Sequence, residues 1–227
     1  MLIAWSTLMD LTYTEENYIK VIHHLSNGGQ HMVATNSLAS YLRTSPAAIT
    51  DMVQRLHQKG LISYQKYQGV NIAAPGLAKA MQILRRHRLW EVFLVKKLKF
   101  TWDEVEEVAE ELEHIRSELL IKRLDEYLDH PSYSPHGEPI PDVNGAIKTQ
   151  PQILLSQLEA GATGTIVAVK DDSAPFLQYL NKKNIYLGAA VKVLEKIPFD
   201  QSMELSIDGS VGVTISSLVS DNLLIVC

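Results

Sequence analysis

The 227-residue sequence contains a single cysteine, Cys227, at its last position. An intramolecular disulfide and a zinc site built from several thiolates are therefore excluded within this chain. No apolar run approaches the ~20 residues that a membrane-spanning helix needs. The apolar start of the sequence lacks the basic flank and the cleavage site of a secretory signal. We expect a globular protein of the reducing cytoplasm without a membrane partner.

The sequence also lacks the signatures of common enzyme classes. It has neither a nucleotide-binding glycine loop nor a nucleophile elbow. Its net charge of −5 does not mark a nucleic-acid binder, but the charge is unevenly spread. Residues 1–79 hold six Lys/Arg against four Asp/Glu, whereas the rest of the chain is net acidic. Any contact with DNA is expected in this amino-terminal third.

The amino-terminal third has the pattern of a winged helix-turn-helix. An amphipathic helix capped by Thr14 is predicted to end near residue 25, and a short helix follows over residues 35–42. After a tight break, a second helix begins at Pro46 and ends before Gly60. Residues 61–72 have the alternation of a β-hairpin. This order predicts a DNA-binding domain over residues 10–75.

Small and polar side chains lie at the start of the second helix, where they suit close approach to base edges. Basic side chains near the two helices and in the hairpin can reach phosphates. The candidate DNA-contacting residues are Arg43, Ser45, Pro46, Ala47, Thr50, Gln54 and Lys66. Winged helices also serve as protein-interaction modules, so the rest of the chain must support the DNA-binding interpretation.

Residues 102–114 read as one acidic helix. At about 100° per residue, its polar arc carries Glu106, Glu110, Glu113 and His114. A helix predicted over about residues 77–98 repeats this chemistry, because His87 and Glu91 are four residues apart on one face. Carboxylates and imidazoles on rigid helices can surround a divalent metal ion. The alternative is a solvated acidic face.

The remaining segments complete an α+β protein. Large apolar helix faces within residues 76–130 need a partner surface, and a second copy of the chain is the economical one. We therefore expect a helical metal-binding and dimerisation domain there. Residues 131–152 form a proline-rich, largely extended linker that carries His136. Five short strands and one short helix within residues 153–227 predict a small β-barrel.

Taken together, the chain resembles the diphtheria toxin repressor family of metal-dependent transcriptional regulators, in its three-domain form. The segments that carry the resemblance are the winged helix, Arg86 to Glu91, Glu110 to His114, and Ser134 to Pro141. The resemblance implies an Src-homology-3-like barrel at the carboxyl end. It also implies a homodimeric repressor that binds a near-palindromic operator in double-stranded DNA, with Mn²⁺ or Fe²⁺ as corepressor, and controls metal uptake genes.

The resemblance further implies two neighbouring metal sites. The primary site corresponds to Asn17, Glu110, Glu113 and His114. The ancillary site corresponds to His87, Glu91 and Glu106, with His136 and Asp172 as further candidates. An ion joining Asn17 to the ligands of the acidic helix would set the angle between two recognition helices.

The chain departs from the family pattern at two positions. Family members usually place Asp or Met where this chain has Asn17, and some manganese-specific members carry Glu where it has Lys20. A ligand set of oxygens and imidazoles favours Mn²⁺ or Fe²⁺ over ions that prefer thiolates. Mn²⁺ is our prediction and Fe²⁺ the alternative, while Zn²⁺ can also bind in vitro. Two other functions stay open: a winged-helix regulator that does not respond to metal, and a metallohydrolase, which here lacks a general base outside the ligand set.

Overall fold

The computed structural model describes residues 11–101, 104–148, 151–210 and 212–227. Helices and antiparallel sheets follow one another along the chain, as the predicted α+β class requires. Two compact units result. The first runs up to Arg86 and includes Glu113–Ile115 and Pro141–Ala146, and the second contains the remainder. Because each unit combines separate stretches of chain, the domain boundaries predicted near residues 75, 130 and 152 stay a prediction.

The first unit contains the winged helix. Its elements are α1 (Tyr13–Leu25), α2 (Thr35–Tyr41), α3 (Pro46–Gln58), β1 (Ile62–Gln65), β2 (Gly69–Ile72) and the amino-terminal half of α4 (Ala74–Leu98). Strands β1 and β2 pair antiparallel, with Ile62 opposite Ile72 and Gln65 opposite Gly69. The turn between them is the wing, and α3 occupies the position of the recognition helix. The predicted helix-turn-helix and hairpin are confirmed.

Local capping explains where α1 and α3 begin. Thr12, rather than the predicted Thr14, caps α1: its hydroxyl accepts the N–H of Glu15, while its own N–H donates to the Glu15 carboxylate at 2.9 Å. This reciprocal pair is a capping box. Ser45 caps α3 by accepting the N–H of Ala48 at 3.2 Å. Pro46 follows in the first helical position, where its missing N–H removes no hydrogen bond.

One apolar core holds the winged helix together. Ile22 of α1, Leu38 of α2 and Leu56 of α3 are fully buried in it, together with Val70 of the wing. Burial of such side chains contributes about 1.5–3 kcal/mol each. Because α3 uses its apolar stripe for this core, its opposite face stays exposed. The core thereby fixes which side chains of α3 face solvent.

The acidic segment is not the single helix that the sequence predicts. Helix α5 spans Val105–Leu112 and α6 spans Glu118–Tyr127, so Glu113 and His114 lie in the turn between them. Residues 102 and 103 lie outside the described residues. The helix ends because the backbone carbonyl of Glu113 accepts a hydrogen bond from the Arg86 guanidinium and Ser117 caps a new helix. The prediction that Glu113 and His114 share one helical polar arc with Glu106 and Glu110 is therefore wrong.

The second unit contains a small six-stranded antiparallel sheet. Its strands are β3 (Ile153–Leu154), β4 (Thr163–Val169), β5 (Ala190–Lys196), β6 (Met203–Ile207), β7 (Val213–Ile215) and β8 (Leu223–Val226), in the order β3-β8-β4-β5-β6-β7. The strands share one apolar cluster with α7 (Ala174–Lys182), α8 (Ser217–Ser220) and a 3₁₀ turn (Leu155–Gln157). The predicted Src-homology-3-like barrel is confirmed. Strand β3 was not predicted, because a strand of two residues shows no alternation of polar and apolar side chains. Val211, the predicted start of β7, lies outside the described residues.

None of the helices in the described ranges is both long enough and apolar enough to cross a membrane.

Candidate metal centre and nucleic-acid interface

Four of the predicted metal ligands meet in the second unit. Ligand atoms of His87, Glu91 and Glu106 all lie within 4.8 Å of one another. The Nε2 atom of His87 is 3.8 Å from Oε1 of Glu91 and 3.4 Å from Oε2 of Glu106. The Nδ1 atom of His136 lies 2.8 Å from the same Oε1 of Glu91. We call these four residues the four-residue site.

Two helices and one turn position the four-residue site. His87 and Glu91 are one turn apart on α4, so their side chains leave the same face. Glu106 lies in the first turn of α5. His136 belongs to residues 134–140, in which the N–H of Ser134 donates to the Glu138 carbonyl at 2.8 Å. This segment is a tight turn, so the prediction of a largely extended linker is wrong here.

The proline-rich turn is held from two sides. The N–H of Val169 in β4 donates to the His136 carbonyl at 3.3 Å. Gly137, at φ +82°, packs so closely on β4 that an added Cβ would overlap the backbone at Val167. From α4, the buried Arg88 donates to the Pro139 carbonyl at 2.7 Å and pairs with the Glu138 carboxylate at 2.9 Å. The sheet and α4 together fix the imidazole of His136.

The four-residue site fits a divalent metal ion. Glu91 is 1% exposed, and its Oε2 has no hydrogen-bond partner within the described part of the chain. A buried carboxylate oxygen without a hydrogen bond lowers the stability of the fold by about 1–3 kcal/mol, and by more when the carboxylate is ionised. With neutral imidazoles, the carboxylates of Glu91 and Glu106 carry two negative charges, which one divalent cation balances. Oxygen and imidazole donors are those that Mn²⁺ and Fe²⁺ accept.

Asp172 lies exposed between β4 and α7. Its role as a further ligand stays a prediction.

Two ligands of the predicted primary site lie in the first unit, beside α1. The Nζ atom of Lys20 is 2.9 Å from Oε1 and 3.1 Å from Oε2 of Glu113, which is fully buried. The Nδ1 atom of His114 is 2.7 Å from Oε2 of Glu16, and the same oxygen is 3.3 Å from the Arg86 guanidinium. We call these five residues the ionic cluster.

In the ionic cluster, cationic side chains already lie at both carboxylates, and the roles of Glu113 and His114 as metal ligands stay predictions. The carboxylates of Glu16 and Glu113 are balanced by the ammonium of Lys20 and the guanidinium of Arg86. Two further positive charges would meet both cationic groups in a poorly hydrated setting, where like charges repel strongly. Asn17 is half-buried on α1 and Glu110 is exposed on α5, and their roles as ligands stay predictions.

Glu16 was not among the predicted ligands, and Lys20 was noted only as a departure from the family pattern. A signal was present, because Glu16 and Lys20 are four residues apart and therefore share a face of α1. Arg86 gave no comparable signal, since Glu113, whose carbonyl it contacts, lies 27 residues later in the sequence.

The predicted DNA-contacting residues lie on the winged helix. Ser45, Pro46, Ala47, Thr50 and Gln54 are all exposed on α3 or at its start. Arg43 is exposed in the turn before α3, with φ +48°. Lys66 is exposed in the wing next to Tyr67, which is 93% exposed and was not predicted. The Lys66 ammonium lies 5.1 Å from the Tyr67 ring centroid, so the wing tip offers both a cation and an aromatic face.

An ion pair ties the end of α3 to α1. Lys59, the residue after α3, lies with its Nζ 2.7 Å from Oε1 of the buried Glu15. Burial by itself raises the pKa of Glu15, but hydrogen bonds from the Lys59 side chain and the Thr12 N–H outweigh it and hold the pKa below its ordinary value of 4.5. Glu15 is therefore ionised at neutral pH and helps to orient the recognition helix.

Comparisons with known proteins agree with this architecture. The N-terminal DNA-binding domain of iron dependent repressors matches residues 10–70, the metal binding and dimerisation domain of the same repressors matches residues 74–142, and the FeoA domain matches residues 153–225. A solved manganese-dependent transcriptional repressor in complex with manganese is 32% identical, with 93% of this chain and 99% of that chain covered and a TM-score of 0.76. The chain belongs to the diphtheria toxin repressor family of metal-dependent transcriptional regulators.

Curated relatives in this family include iron-dependent repressors of mycobacteria. The iron-dependent repressor IdeR of Mycobacterium leprae is 33% identical over 132 residues, which span 58% of this chain and 57% of that protein. The protein of the same name from Mycobacterium bovis is 30% identical over 165 residues, spanning 70% of this chain and 71% of that protein. These relatives are named as repressors and not as enzymes, so the metallohydrolase alternative is not supported.

Proposed function

We propose that this protein is a metal-dependent repressor that binds double-stranded DNA as a homodimer, with Mn²⁺ as corepressor and Fe²⁺ as the alternative. The observation that carries the proposal is the four-residue site, in which Glu91 keeps a buried oxygen without a hydrogen bond among the described residues. The donor set supports Mn²⁺, because it contains oxygens and imidazoles and no thiolate. The name of one solved relative also contains manganese, although curated relatives are named for iron.

Each residue of the four-residue site has a definite part in this proposal. Glu91 and Glu106 would hold the ion through carboxylate oxygens, and His87 and His136 through imidazole nitrogens. The ion, when bound, supplies the positive charge that balances the two acids. The side chains then tie α4, α5 and the proline-rich turn to a common point, whereas without a cation the two carboxylates repel each other across His87.

Ordering of these segments connects the site to DNA binding. All four residues lie within residues 74–142, which match the metal binding and dimerisation domain of the repressor family. A rigid dimerisation surface favours pairing of two chains, and a pair of chains presents two α3 helices to a near-palindromic operator. Metal would thereby raise the affinity for DNA by stabilising one conformation of the dimer. The target genes of such a repressor would be those for uptake of the same metal, and its place would be the cytoplasm.

A titration of DNA binding tests this function. Fluorescence anisotropy of a palindromic promoter fragment is followed with the purified full-length protein in chelator, and then with Mn²⁺, with Fe²⁺ under argon and with Zn²⁺. We expect the protein to bind DNA tightly with Mn²⁺ or Fe²⁺ and weakly in chelator. Zn²⁺ is also expected to bind to the protein, although it is not the physiological ion. Equal binding in chelator and in every metal would refute the corepressor and leave a winged-helix regulator that does not respond to metal.

A further inference from the structure

The ionic cluster around Glu113 contains its own cationic side chains, while Nε2 of His114 is buried without a hydrogen bond within the described residues. Lys20 approaches both carboxylate oxygens of Glu113, at 2.9 and 3.1 Å, which is the position that a shared cation would take. Glu113 is fully buried, and the Lys20 side chain is only 18% exposed, so water screens this pair little. The ammonium thus supplies in the folded chain the positive charge that a ligand ion would otherwise bring.

The second half of the ionic cluster is balanced in the same way. Glu16, one helical turn before Lys20 on α1, receives His114 at 2.7 Å and Arg86 at 3.3 Å. His114 Nε2 lies 3.5 Å from Oε1 of Glu113, so the imidazole lies between the two acids. The carboxylates of Glu16 and Glu113 thus each have a cationic side chain within 3.3 Å.

We propose that Lys20 is the permanent counter-ion of Glu113, so that the ionic cluster takes no divalent metal and the protein responds to metal through the four-residue site alone. The choice of the four-residue site as the responding one rests on the proposed function, whereas the role of Lys20 rests on the contacts above. The ionic cluster then holds residues 113–115 on α1 whether metal is present or not. This replaces the two-metal arrangement that the family resemblance implies.

The physical reason is competition between a tethered and a free cation. Lys20 is held near Glu113 by α1, so its effective concentration there is high and independent of the metal in solution. A divalent ion at Glu113 would have to displace the ammonium of Lys20 from both carboxylate oxygens. Removal of the lysine charge would instead leave the ionic cluster with one net negative charge and an empty place beside Glu113.

Metal counting tests the proposal. Full-length wild-type, Lys20→Gln and Lys20→Arg proteins are dialysed to equilibrium against Mn²⁺, and bound manganese per chain is measured by mass spectrometry of the elements. We expect one ion per chain for wild type and for Lys20→Arg, which keeps the charge, and two for Lys20→Gln. The double variant Lys20→Gln, Glu113→Gln should return to one. A folded Lys20→Gln protein that binds no more manganese than wild type overturns the proposal.

A second comparison does not depend on the folding of Lys20→Gln. Wild type and His114→Gln, whose amide can still donate to Glu16, are dialysed in the same way, and both should bind one ion. If wild type binds two ions and His114→Gln binds one, Lys20 does not exclude metal and the proposal is wrong. Failure of the proposed function gives a different result, because wild type would then bind no manganese ion at all. The difference in bound manganese between Lys20→Gln and wild type would still decide the role of Lys20.

Discussion

His136 contacts Glu91 through Nδ1 and Oε1 at 2.8 Å, and the side chains of both residues are less than a tenth exposed. A histidine from a proline-rich turn therefore shares a carboxylate with His87 of α4. We expect His136→Ala to weaken Mn²⁺ binding by roughly 10–100-fold, as loss of a ligand or of its orienting partner does. Isothermal titration calorimetry measures the change. His130→Ala is the control, because His130 is exposed and pairs with Asp125 instead; equal affinities of the two variants would remove His136 from the site.

Glu106 and Glu107 are neighbours on α5 with different surroundings. Glu106 lies 3.4 Å from His87, whereas Glu107 is exposed in the same helical turn. We expect Glu106→Gln to lose most of the Mn²⁺-induced DNA binding, since an amide does not supply the negative charge that a divalent ion needs. Glu107→Gln makes the same change of charge and should bind DNA like wild type. Anisotropy titrations at fixed Mn²⁺ compare them, and a loss in both variants would point to net charge instead of ligation.

Gly137 fixes the proline-rich turn on β4. Alanine at this position meets two difficulties, a left-handed backbone at φ +82° and overlap of its Cβ with the backbone at Val167. Gly188, at φ +89°, has no atom within 4 Å of an added Cβ, so alanine there meets only the first. We expect Gly188→Ala to lower the free energy of unfolding by about 1 kcal/mol. Gly137→Ala should lower it clearly more and also weaken Mn²⁺ binding, as measured by urea denaturation and calorimetry. Equal effects of the two would show that the turn does not pack on β4.

The wing contributes charge to DNA binding. Lys66 is exposed beside Tyr67 at the wing tip and reaches a phosphate if α3 lies in the major groove. We expect Lys66→Ala to weaken binding to operator and to unrelated DNA by a similar factor. The slope of log K against log salt should become smaller by about one. Lys192→Ala, in strand β5 of the small barrel, removes the same charge from an exposed site and should leave the slope unchanged.

Glu15 makes the winged helix sensitive to acid. Its folded pKa is lowered below 4.5, so the ionised form stabilises the fold fully above the unfolded pKa. This stabilisation is lost as the pH falls through the lowered folded pKa. We expect the free energy of unfolding of wild type to fall more steeply below about pH 4.5 than that of Glu15→Gln, which keeps the capping box but not the charge. Glu159→Gln, on the surface of the barrel, should keep the wild-type slope, and identical slopes for all three would show that Glu15 does not contribute.

The sequence predicted those features that depend on neighbouring residues. The recognition helix was placed correctly because Ser45, Pro46 and Gly60 are local start and stop signals. The pair of His87 and Glu91 followed from a spacing of four residues on one helix. The α5 helix was predicted too long, because nothing in the local pattern shows that the guanidinium of Arg86 binds the carbonyl of Glu113. Capping by Thr12 was not predicted, because Thr12 and Thr14 both satisfy the preference of helix N-caps for threonine.

Contacts between distant parts of the chain decided the rest. The sequence by itself determined a winged helix, an acidic helical segment and a small barrel, because helix periodicity, strand alternation and turn residues act over a few positions. Only the tertiary structure decided that His136 joins Glu91 and that Lys20 and Arg86 neutralise Glu113 and Glu16. The residues of these pairs are 45 to 93 positions apart in the sequence. Their interaction energies depend on burial and net charge, which no local pattern records.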